Sequence, residues 1–307
     1  AVPEAYCYGE SDAVVTQEQL ELGLNDGSIG PDRLGTVVMI QCVGSREEGG
    51  REYCSRTCCS AALKNAHRIL DTHPGARVIV LYRDMMAYGF KEKFYTDARA
   101  RGVIFTTFDV AKKPTVELSE EGKPVVRFDD EVLATDIEVK ADLVVLSTGI
   151  VPNDNAPLAE ALGVELDEYG FFKELDYKWK PVETLKEGVC VCGLAHSPRS
   201  IPESLVMAEA AAARTLSVLS HEELTSARLV SRVREGLCAS CQLCVSLCPY
   251  EARRYDEAED RIVVDDLACQ GCGICVAGCP SSASSFAGLL ERQVMAGLDA
   301  QLGRAAP

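Results

Sequence analysis

Fifteen cysteines stand in a chain of 307 residues, and most fall into strings whose spacing suits thiolate ligands. Near the C-terminus, Cys238-x2-Cys241-x2-Cys244-x3-Cys248-Pro249 is repeated as Cys269-x2-Cys272-x2-Cys275-x3-Cys279-Pro280. Three thiolates spaced two residues apart wrap one face of a small iron–sulfur cubane from a tight loop. The fourth, three residues on and followed by proline, leaves that loop and ligates the other cluster. Cys238, Cys241, Cys244 and Cys279 are therefore expected to hold one 4Fe–4S cluster, and Cys269, Cys272, Cys275 and Cys248 the other. Zinc is the rival, but a zinc ribbon takes four thiolates from two CxxC arms, not eight in a doubled pattern. Between the strings, Arg253-Arg254-Tyr255 and Arg261 to Val264 flank the acidic turn Asp256 to Asp260, a hairpin signal. Cys42, Cys54, Cys58 and Cys59 form an earlier group. Cys7, Cys190 and Cys192 are scattered among apolar neighbours.

The rest of the composition is that of a folded globular protein, with 47% hydrophobic and 25% charged residues. No run of 18 apolar residues predicts a membrane span. With 31 Lys+Arg against 47 Asp+Glu, the net charge of −16 disfavours nucleic acid or anionic membrane as a ligand. The opening Ala1-Val2-Pro3-Glu4 has no basic start or apolar core, so no secretory leader is expected. So many cysteines in a long chain without a leader point to metal or redox use in a reducing, cytoplasmic setting.

The elements that must position these thiols are legible in outline. Thr36 to Ile40 has a buried-strand pattern, and Cys58 to Leu70 carries Ala62, Leu63, Ala66, Ile69 and Leu70 at helical spacing. Strand Arg77 to Tyr82 follows Pro74-Gly75. This β-α-β unit implies a parallel sheet. A helix over about Lys91 to Arg101 leads to strand Val103 to Phe108. Short strands are expected around Pro124 to Phe128 and Glu131 to Val139, then a buried strand from Leu143 to Leu146. Val189 to Gly193 reads as a short strand that places Cys190 and Cys192 on one side. Pro202 opens an Ala-rich helix to about Leu219, a position for which proline is pre-organised. Ser220 to Arg234 reads as a charged linker, and the last dozen residues as a frayed tail.

The C-terminal segment resembles bacterial two-cluster ferredoxins over roughly residues 232 to 286. Gly149-Ile150-Val151-Pro152-Asn153 resembles the crossover by which flavoproteins of the thioredoxin reductase type return to their FAD domain. Gly188 to Gly193, with Pro202 and the Ala-rich helix, resembles the segment that closes that domain. Gln41-Cys42-Val43-Gly44-Ser45-Arg46, Tyr53-Cys54-Ser55-Arg56-Thr57-Cys58-Cys59 and Leu81-Tyr82-Arg83-Asp84 are similar to the A subunit of heterodisulfide reductase. The resemblance extends from about Tyr8 to Phe286. It implies an α/β fold: a partial two-dinucleotide-domain flavoprotein with a parallel sheet, followed by an α+β ferredoxin domain of the bacterial two-cluster type. The implied divisions are 1–35, the end of an FAD-domain half or linker; 36–148, a nicotinamide-domain-like unit; 149–220, the C-terminal part of the FAD domain; 232–290, the ferredoxin; and 291–307, a tail. The family's FAD domain begins with a Gly-rich strand-turn-helix, and no G-x-G-x-x-G occurs in this sequence. FAD is accordingly expected to be shared with a partner chain that supplies that half. The alternative is that no flavin binds.

A nicotinamide-binding unit needs glycines at its first turn for a pyrophosphate. The turn after Ile40 instead carries Cys42, a single Gly44 and an excursion to Cys58-Cys59. Helix N–H groups, Arg46 and Arg56 favour negative sulfur there. Cys42, Cys54, Cys58 and Cys59 are read as ligands of a third 4Fe–4S cluster in place of the nicotinamide cofactor; a redox disulfide or inert buried thiols are the rival readings. The resemblance implies that Lys64 reaches the flavin near N5, where a cation stabilises reduced flavin; a solvated surface lysine is its rival. Glu18 and Glu21 also lead toward this region. Gly149, Gly193, His196, Pro202, Glu203 and Ser204 are the expected flavin-binding positions. The reading is an electron-transfer component of a multi-subunit anaerobic oxidoreductase, and the family's flavin is the point of electron bifurcation. A flavin-free iron–sulfur scaffold and a pyridine-nucleotide disulfide reductase fused to a ferredoxin are the alternatives.

Overall fold

The computed structural model describes residues 3, 5–130, 132–220, 229–287 and 289–303. The chain divides into two units, Ala1–Leu216 and Ser217–Pro307. In chain order the first contains β1 (Val14–Thr16), α1 (Gln17–Asp26), β2 (Thr36–Val43), α2 (Cys58–Thr72), β3 (Arg77–Tyr82), α3 (Glu92–Ala100) and β4 (Ile104–Thr107). There follow β5 (Thr115–Leu118), β6 (Pro124–Asp130), β7 (Thr135–Lys140), β8 (Leu143–Thr148), α4 (Ala156–Leu162) and α5 (Ile201–Leu219), whose end from Ser217 on belongs to the second unit.

Five strands form one sheet in the order β1-β8-β2-β3-β4, and every pairing is parallel. Parallel strands need crossovers that cover both faces, so their sequences are apolar throughout rather than alternating. β2 obeys this: Val37 to Ile40 are all fully buried. Val37 and Met39 face the layer of α1, α2 and α3, where Leu20, Ala62, Leu63, Ala66 and Ile69 are buried. Val38 and Ile40 face the opposite way, against Val116, Val126, Phe128 and Val139 of the antiparallel sheet β5-β6-β7. Near its C-terminal end β2 bulges between Ile40 and Val43, with Cys42 at φ 60°. A bulge at that position re-aims side chains where α2 begins.

The segment 1–35, expected as the end of another domain or a linker, instead adds β1 to the edge of this sheet beside β8 and packs α1 on it. α1 starts from a capping box: the Thr16 hydroxyl accepts from the Gln19 N–H, and the Gln19 side chain accepts from the Thr16 N–H. A three-residue strand and a helix of mostly polar residues leave little periodic signal. β5, a four-residue strand, leaves equally little.

Three further expectations are corrected. Val189 to Gly193 is not a strand; only Cys190 forms a lone bridge, to Glu183, because no neighbouring strand completes a ladder. The chain turns instead at Gly193, whose φ is 63°. In the supposed linker, β9 (Ser231–Val233) is a paired strand, while residues 221 to 228 lie outside the described set. In the supposed tail, Glu291–Gln301 is a helix, built from good helix formers such as Glu291, Arg292, Gln293, Met295 and Ala296. α5 starts at Ile201, one residue before Pro202, and none of its side chains is buried.

The second unit is small. After β9 come α6 (Leu243–Ser246), β10 (Arg253–Asp256), β11 (Arg261–Val264), α7 (Ile274–Ala277), β12 (Ser284–Phe286) and α8, the Glu291–Gln301 helix. β10 and β11 form the expected hairpin, and β12 pairs antiparallel with β9. Among the described residues no helix is long and apolar enough to cross a membrane.

Leu20 tests the place of α1, since it is fully buried in the sheet–helix core. Leu20→Ala should cost about 2–5 kcal/mol, read as a lower urea midpoint, whereas the same change in a linker would cost almost nothing.

Candidate functional site

The two C-terminal cysteine strings fold into two cavities. One is lined by Cys238, Cys241, Cys244 and Cys279, together with Pro280. The other is lined by Cys269, Cys272, Cys275 and Cys248. Each cavity thus receives three sulfurs from one string and the fourth from the other. The short helices α6 and α7 each follow a residue in the left-handed region, Gln242 at φ 60° and Gly273 at φ 81°, and these turns reverse the chain inside each CxxCxxC loop. Gly271, also at positive φ, has no room for a Cβ, which would lie 2.6 Å from the Leu229 carbonyl oxygen.

Local donors favour thiolate here. Burial raises the pKa of Cys269, but the backbone N–H groups of Ser231 and Gly271, the Ser231 hydroxyl and Arg253 outweigh it and hold the thiol below its ordinary value. Cys279 is held down at about 7: burial opposes, and hydrogen bonds from Ser284, Ser281 and Ala283 prevail. A low thiol pKa suits a metal ligand, which binds as thiolate. Among the described residues no three His, Cys, Asp or Glu side chains converge tightly enough to grip a single metal ion.

The first unit collects the other four thiols where β2 ends and α2 begins. Cys42 sits on the bulge, Cys54 in the following loop, and Cys58 and Cys59 in the first turn of α2; Cys42, Cys58 and Cys59 are buried. They lie close enough to oppose one another's ionisation. Cys58 donates to Cys59 and is pushed up, and burial and the charges of Cys59, Cys42 and Cys54 add to that. Cys59, the acceptor, is pushed down by Cys58 first, and Arg46 assists. Burial pushes Cys42 up, with Arg46 acting against it. Four such sulfurs become thiolates together only if a cation is placed among them. The donor set therefore fits a metal core.

Gln41 gives independent support. It is 1% exposed, and neither its amide nitrogen nor its amide oxygen has a partner among the described residues. It lies in the β2 bulge between Ile40 and Val43, directly before Cys42. A buried amide with no partner costs a few kcal/mol. A polar side chain inside an otherwise apolar strand, next to Cys42, is the sequence signal that marks it.

The loop from Gly44 to Thr57 is pinned at both ends. The Ser55 hydroxyl accepts from the Ile150 N–H at 2.9 Å and lies 3.1 Å from the Ser45 hydroxyl. Tyr53 donates to the Ile150 carbonyl at 2.7 Å. Gly149 has no side chain because the Ser45 hydroxyl would lie 2.3 Å from its Cβ. Arg46 pairs with Asp84 at 2.6 Å and faces the sulfurs, as expected. Arg56 does not: its backbone N–H donates to Cys54 Sγ at 3.3 Å, but its guanidinium turns to Glu203 and Tyr88. That corrects its expected place beside the sulfur, because Glu203 offers a full negative charge.

Glu203 connects the thiol loop to α5. It accepts from the Ser200 N–H at 2.8 Å, the Ser200 hydroxyl at 2.9 Å and the Tyr88 hydroxyl at 2.9 Å. Gly193 lies beside Ser204, 3.5 Å from where its Cβ would be. The structure thus brings Gly149, Gly193, Pro202, Glu203 and Ser204 to the segments that border the thiol loop. His196 lies one turn beyond Gly193, with Glu174 at 3.4 Å and Arg199 at 3.0 Å. Lys64 is not brought to the sulfurs: it lies on the exposed face of α2 and pairs with Glu21 of α1 at 2.6 Å. Glu18 is exposed nearby on α1. Cys7 donates to the Val116 carbonyl at 3.3 Å and packs under the β5-β6-β7 sheet. Cys190 and Cys192 are half-buried.

The pH dependence of this connection has a definite sign. Partial burial acts to raise the Glu203 pKa, but Ser200, Tyr88 and Arg56 outweigh it and hold it at about 2. A depressed acid contributes stability above its unfolded pKa and loses it as pH falls through the folded one. The difference in unfolding free energy between the metal-free chain and Glu203→Gln should be constant near neutrality. It should shrink as pH falls from the ordinary carboxylate range toward about 2. A difference that grows on acidification would contradict the ion-pair geometry.

Residues 237–283 match the model of a 4Fe-4S dicluster domain. The chain is 37% identical over 275 residues to the iron-sulfur A subunit of the CoB--CoM heterodisulfide reductase of Methanocaldococcus jannaschii, covering 85% of this chain and 41% of that one. It is 37% identical over 284 residues to the A subunit of the ferredoxin:CoB-CoM heterodisulfide reductase of Methanosarcina acetivorans, covering 91% of this chain and 34% of the relative. The chain therefore spans about two-fifths or less of these relatives' length. Among solved structures, T. acidophilum thioredoxin reductase overlays with a TM-score of 0.46 at 16% identity, over 72% of this chain and 62% of that one.

Proposed function

The chain belongs to the family of heterodisulfide reductase A subunits over the stretch it shares with those proteins, and from that premise we propose that it is an electron-transfer component of a multi-subunit oxidoreductase. The observation that carries the reading is the pair of cavities, each ringed by three cysteines of one string and the fourth of the other. Cys238, Cys241, Cys244 and Cys279 are the proposed ligands of one 4Fe–4S cluster, and Cys269, Cys272, Cys275 and Cys248 of the second. Cys42, Cys54, Cys58 and Cys59 are the proposed ligands of a third; the mutual opposition of their charges and the orphaned Gln41 amide support it. The proposed ferredoxin-type domain is 232–290, with 36–148 as the unit that carries the third cluster and 149–220 as the closing part of a flavin domain. A reducing cytoplasm is the setting we assign, since free thiolates persist there.

The flavin assignment rests on α5 and its surroundings. Bound FAD would supply two-electron chemistry beside one-electron clusters, the condition for splitting an electron pair. Residues Gly149, Gly193, Pro202, Glu203 and Ser204 would face it, and the backbone N–H groups of Ile201 and Glu203 in the first turn of α5, with the helix dipole, favour the negative charge of its reduced form. His196 is the proposed contact from the Gly193 loop. Lys64 would approach from α2 by exchanging Glu21 for the flavin. α5 buries none of its side chains, and Ile201, Leu205 and Val206 are 78%, 60% and 64% exposed. An apolar helix with no cover suits a domain completed from outside these residues, by a partner chain carrying the Gly-rich turn.

Iron, sulfide and flavin quantitation tests both parts under anaerobic conditions. The reconstituted chain should hold about twelve irons, the content of three such clusters. Replacing Cys58 and Cys59 by Ser together should remove one cluster's EPR signal and leave the other two. FAD should be lost from the isolated chain and retained in its complex. Zinc in place of iron would defeat the cluster assignment, and a complex without flavin would defeat the flavoprotein reading.

A further inference from the structure

Arg253 is the first residue of β10 and is only 4% exposed. Its guanidinium donates to the Ser284 hydroxyl at 2.9 Å and to the Ser231 hydroxyl at 2.8 Å, while its Nε has no partner. Among the described residues no carboxylate pairs with it. A buried guanidinium answered only by two neutral hydroxyls is costly unless a negative charge lies close. Arginine cannot escape by losing its proton.

The missing charge has a place. Arg253 lines the cavity ringed by Cys248, Cys269, Cys272 and Cys275. Ser231, which accepts from Arg253, lies 3.6 Å from Cys275 Sγ and 3.9 Å from Cys269 Sγ. With the sulfurs as thiols, Cys275 donates to this hydroxyl beside Arg253; with the sulfurs as thiolates, the hydroxyl still accepts from Arg253 and its one proton can point at a sulfur. The guanidinium is thereby linked through one hydroxyl to the sulfurs of this cavity.

The twin cavity is lined by no charged side chain; Arg253 does not line it and reaches it only through the Ser284 hydroxyl. The side chains around Cys238, Cys241, Cys244 and Cys279 are neutral, among them Val233, Leu243 and Ile262. Aligning the two strings shows why. Cys248-Pro249-Tyr250-Glu251-Ala252-Arg253 corresponds to Cys279-Pro280-Ser281-Ser282-Ala283-Ser284. Arg253 in one copy thus stands where Ser284 stands in the other, and the two equivalents touch.

We propose that Arg253 is the fixed counter-charge of the cluster held by Cys248, Cys269, Cys272 and Cys275, and that it raises that cluster's reduction potential above its twin's. This rests on the iron–sulfur reading above. Cluster potentials respond to net charge, hydrogen bonds to sulfur and burial, and the charge lining the two cavities differs. When one electron enters the domain, one unit of negative charge is added, and no bond forms or breaks. The electron rests beside Arg253, and the twin cluster is the more reducing station of the two.

The test is an EPR-monitored redox titration of the full reconstituted chain, with iron counted in each sample. The Arg253-linked signal is identified as the one lost in Cys272→Ser. In Arg253→Met, which keeps length and burial without charge, that midpoint should fall enough to shift the electron distribution between the two clusters at least tenfold, about 59 mV for one electron. The twin's midpoint should move by less, and the remaining signal should stay in place. Arg253→Lys should retain most of the native midpoint, and Ser231→Ala, which cuts only the hydroxyl link, should lower it by less than Arg253→Met. Full iron with unmoved midpoints in both Arg253→Met and Ser231→Ala overturns the proposal and leaves the cluster assignment standing. Loss of iron in Arg253→Met, with native midpoints in Ser231→Ala and a fallen midpoint in Arg253→Lys, also overturns it, since packing rather than charge would then matter. A native chain lacking iron in this domain overturns both readings.

Discussion

Crowded sulfur is the constraint on which the molecule depends. Buried thiols placed side by side resist ionisation, and each one that ionises makes the next harder. Around Cys58 this opposition is explicit, since Cys59, Cys42 and Cys54 all push against it. Such a nest is stable only if something positive sits inside it or beside it. Its surroundings supply part of that charge: Arg46 beside Cys42 and Cys59, the Arg56 backbone N–H on Cys54, and the unsatisfied N–H groups at the start of α2. In the proposed reading a metal core would supply the rest, and its binding would contribute directly to the folding of the segments that carry the ligands.

That requirement explains the architecture around it. The loop that carries Cys54 between the Cys42 bulge and the Cys58-Cys59 turn is fixed by neighbours. Ser55, Tyr53 and Ser45 tie it to Gly149 and Ile150 at the end of β8. Arg56 ties it to Glu203 and Tyr88. The β2 bulge turns Cys42 away from strand alternation at the point where α2 starts. Ligands held by packed and hydrogen-bonded neighbours bind a cofactor without first losing much freedom.

What can be read from the sequence follows the same physics. The doubled CxxCxxCxxxCP string is legible because a cubane dictates spacing, and the parallel sheet is legible because strands buried on both faces are apolar throughout. β3 matches its expected span to the residue. β1, α1 and β5 have no such signature, since short or polar elements owe their place to the sheet they join rather than to their own pattern. Lys64 and Arg56 mark another limit: local spacing puts both on the thiol loop or its helix, but long side chains choose partners in space, and Glu21 and Glu203 come from other elements. Gln41 and Arg253 do leave a trace. Gln41 is a polar residue inside an apolar strand next to Cys42, and Arg253 follows the Cys248-Pro249 string at the position that is Ser284 in the second copy.

A net charge of −16, taken alone, would make every anionic centre in this protein harder to reduce. Distance decides otherwise. Exposed carboxylates act through water and are screened within about 8–10 Å at ordinary salt. A cation inside the protein is screened far less. Arg253, at 4% exposure, therefore weighs more on its cavity than many surface acids together. The acidic surface governs solubility and which partners approach; the placement of a few enclosed cations governs where an electron resides. Two cysteine strings of identical spacing can thus differ in potential through one residue that is arginine in the first copy and serine in the second.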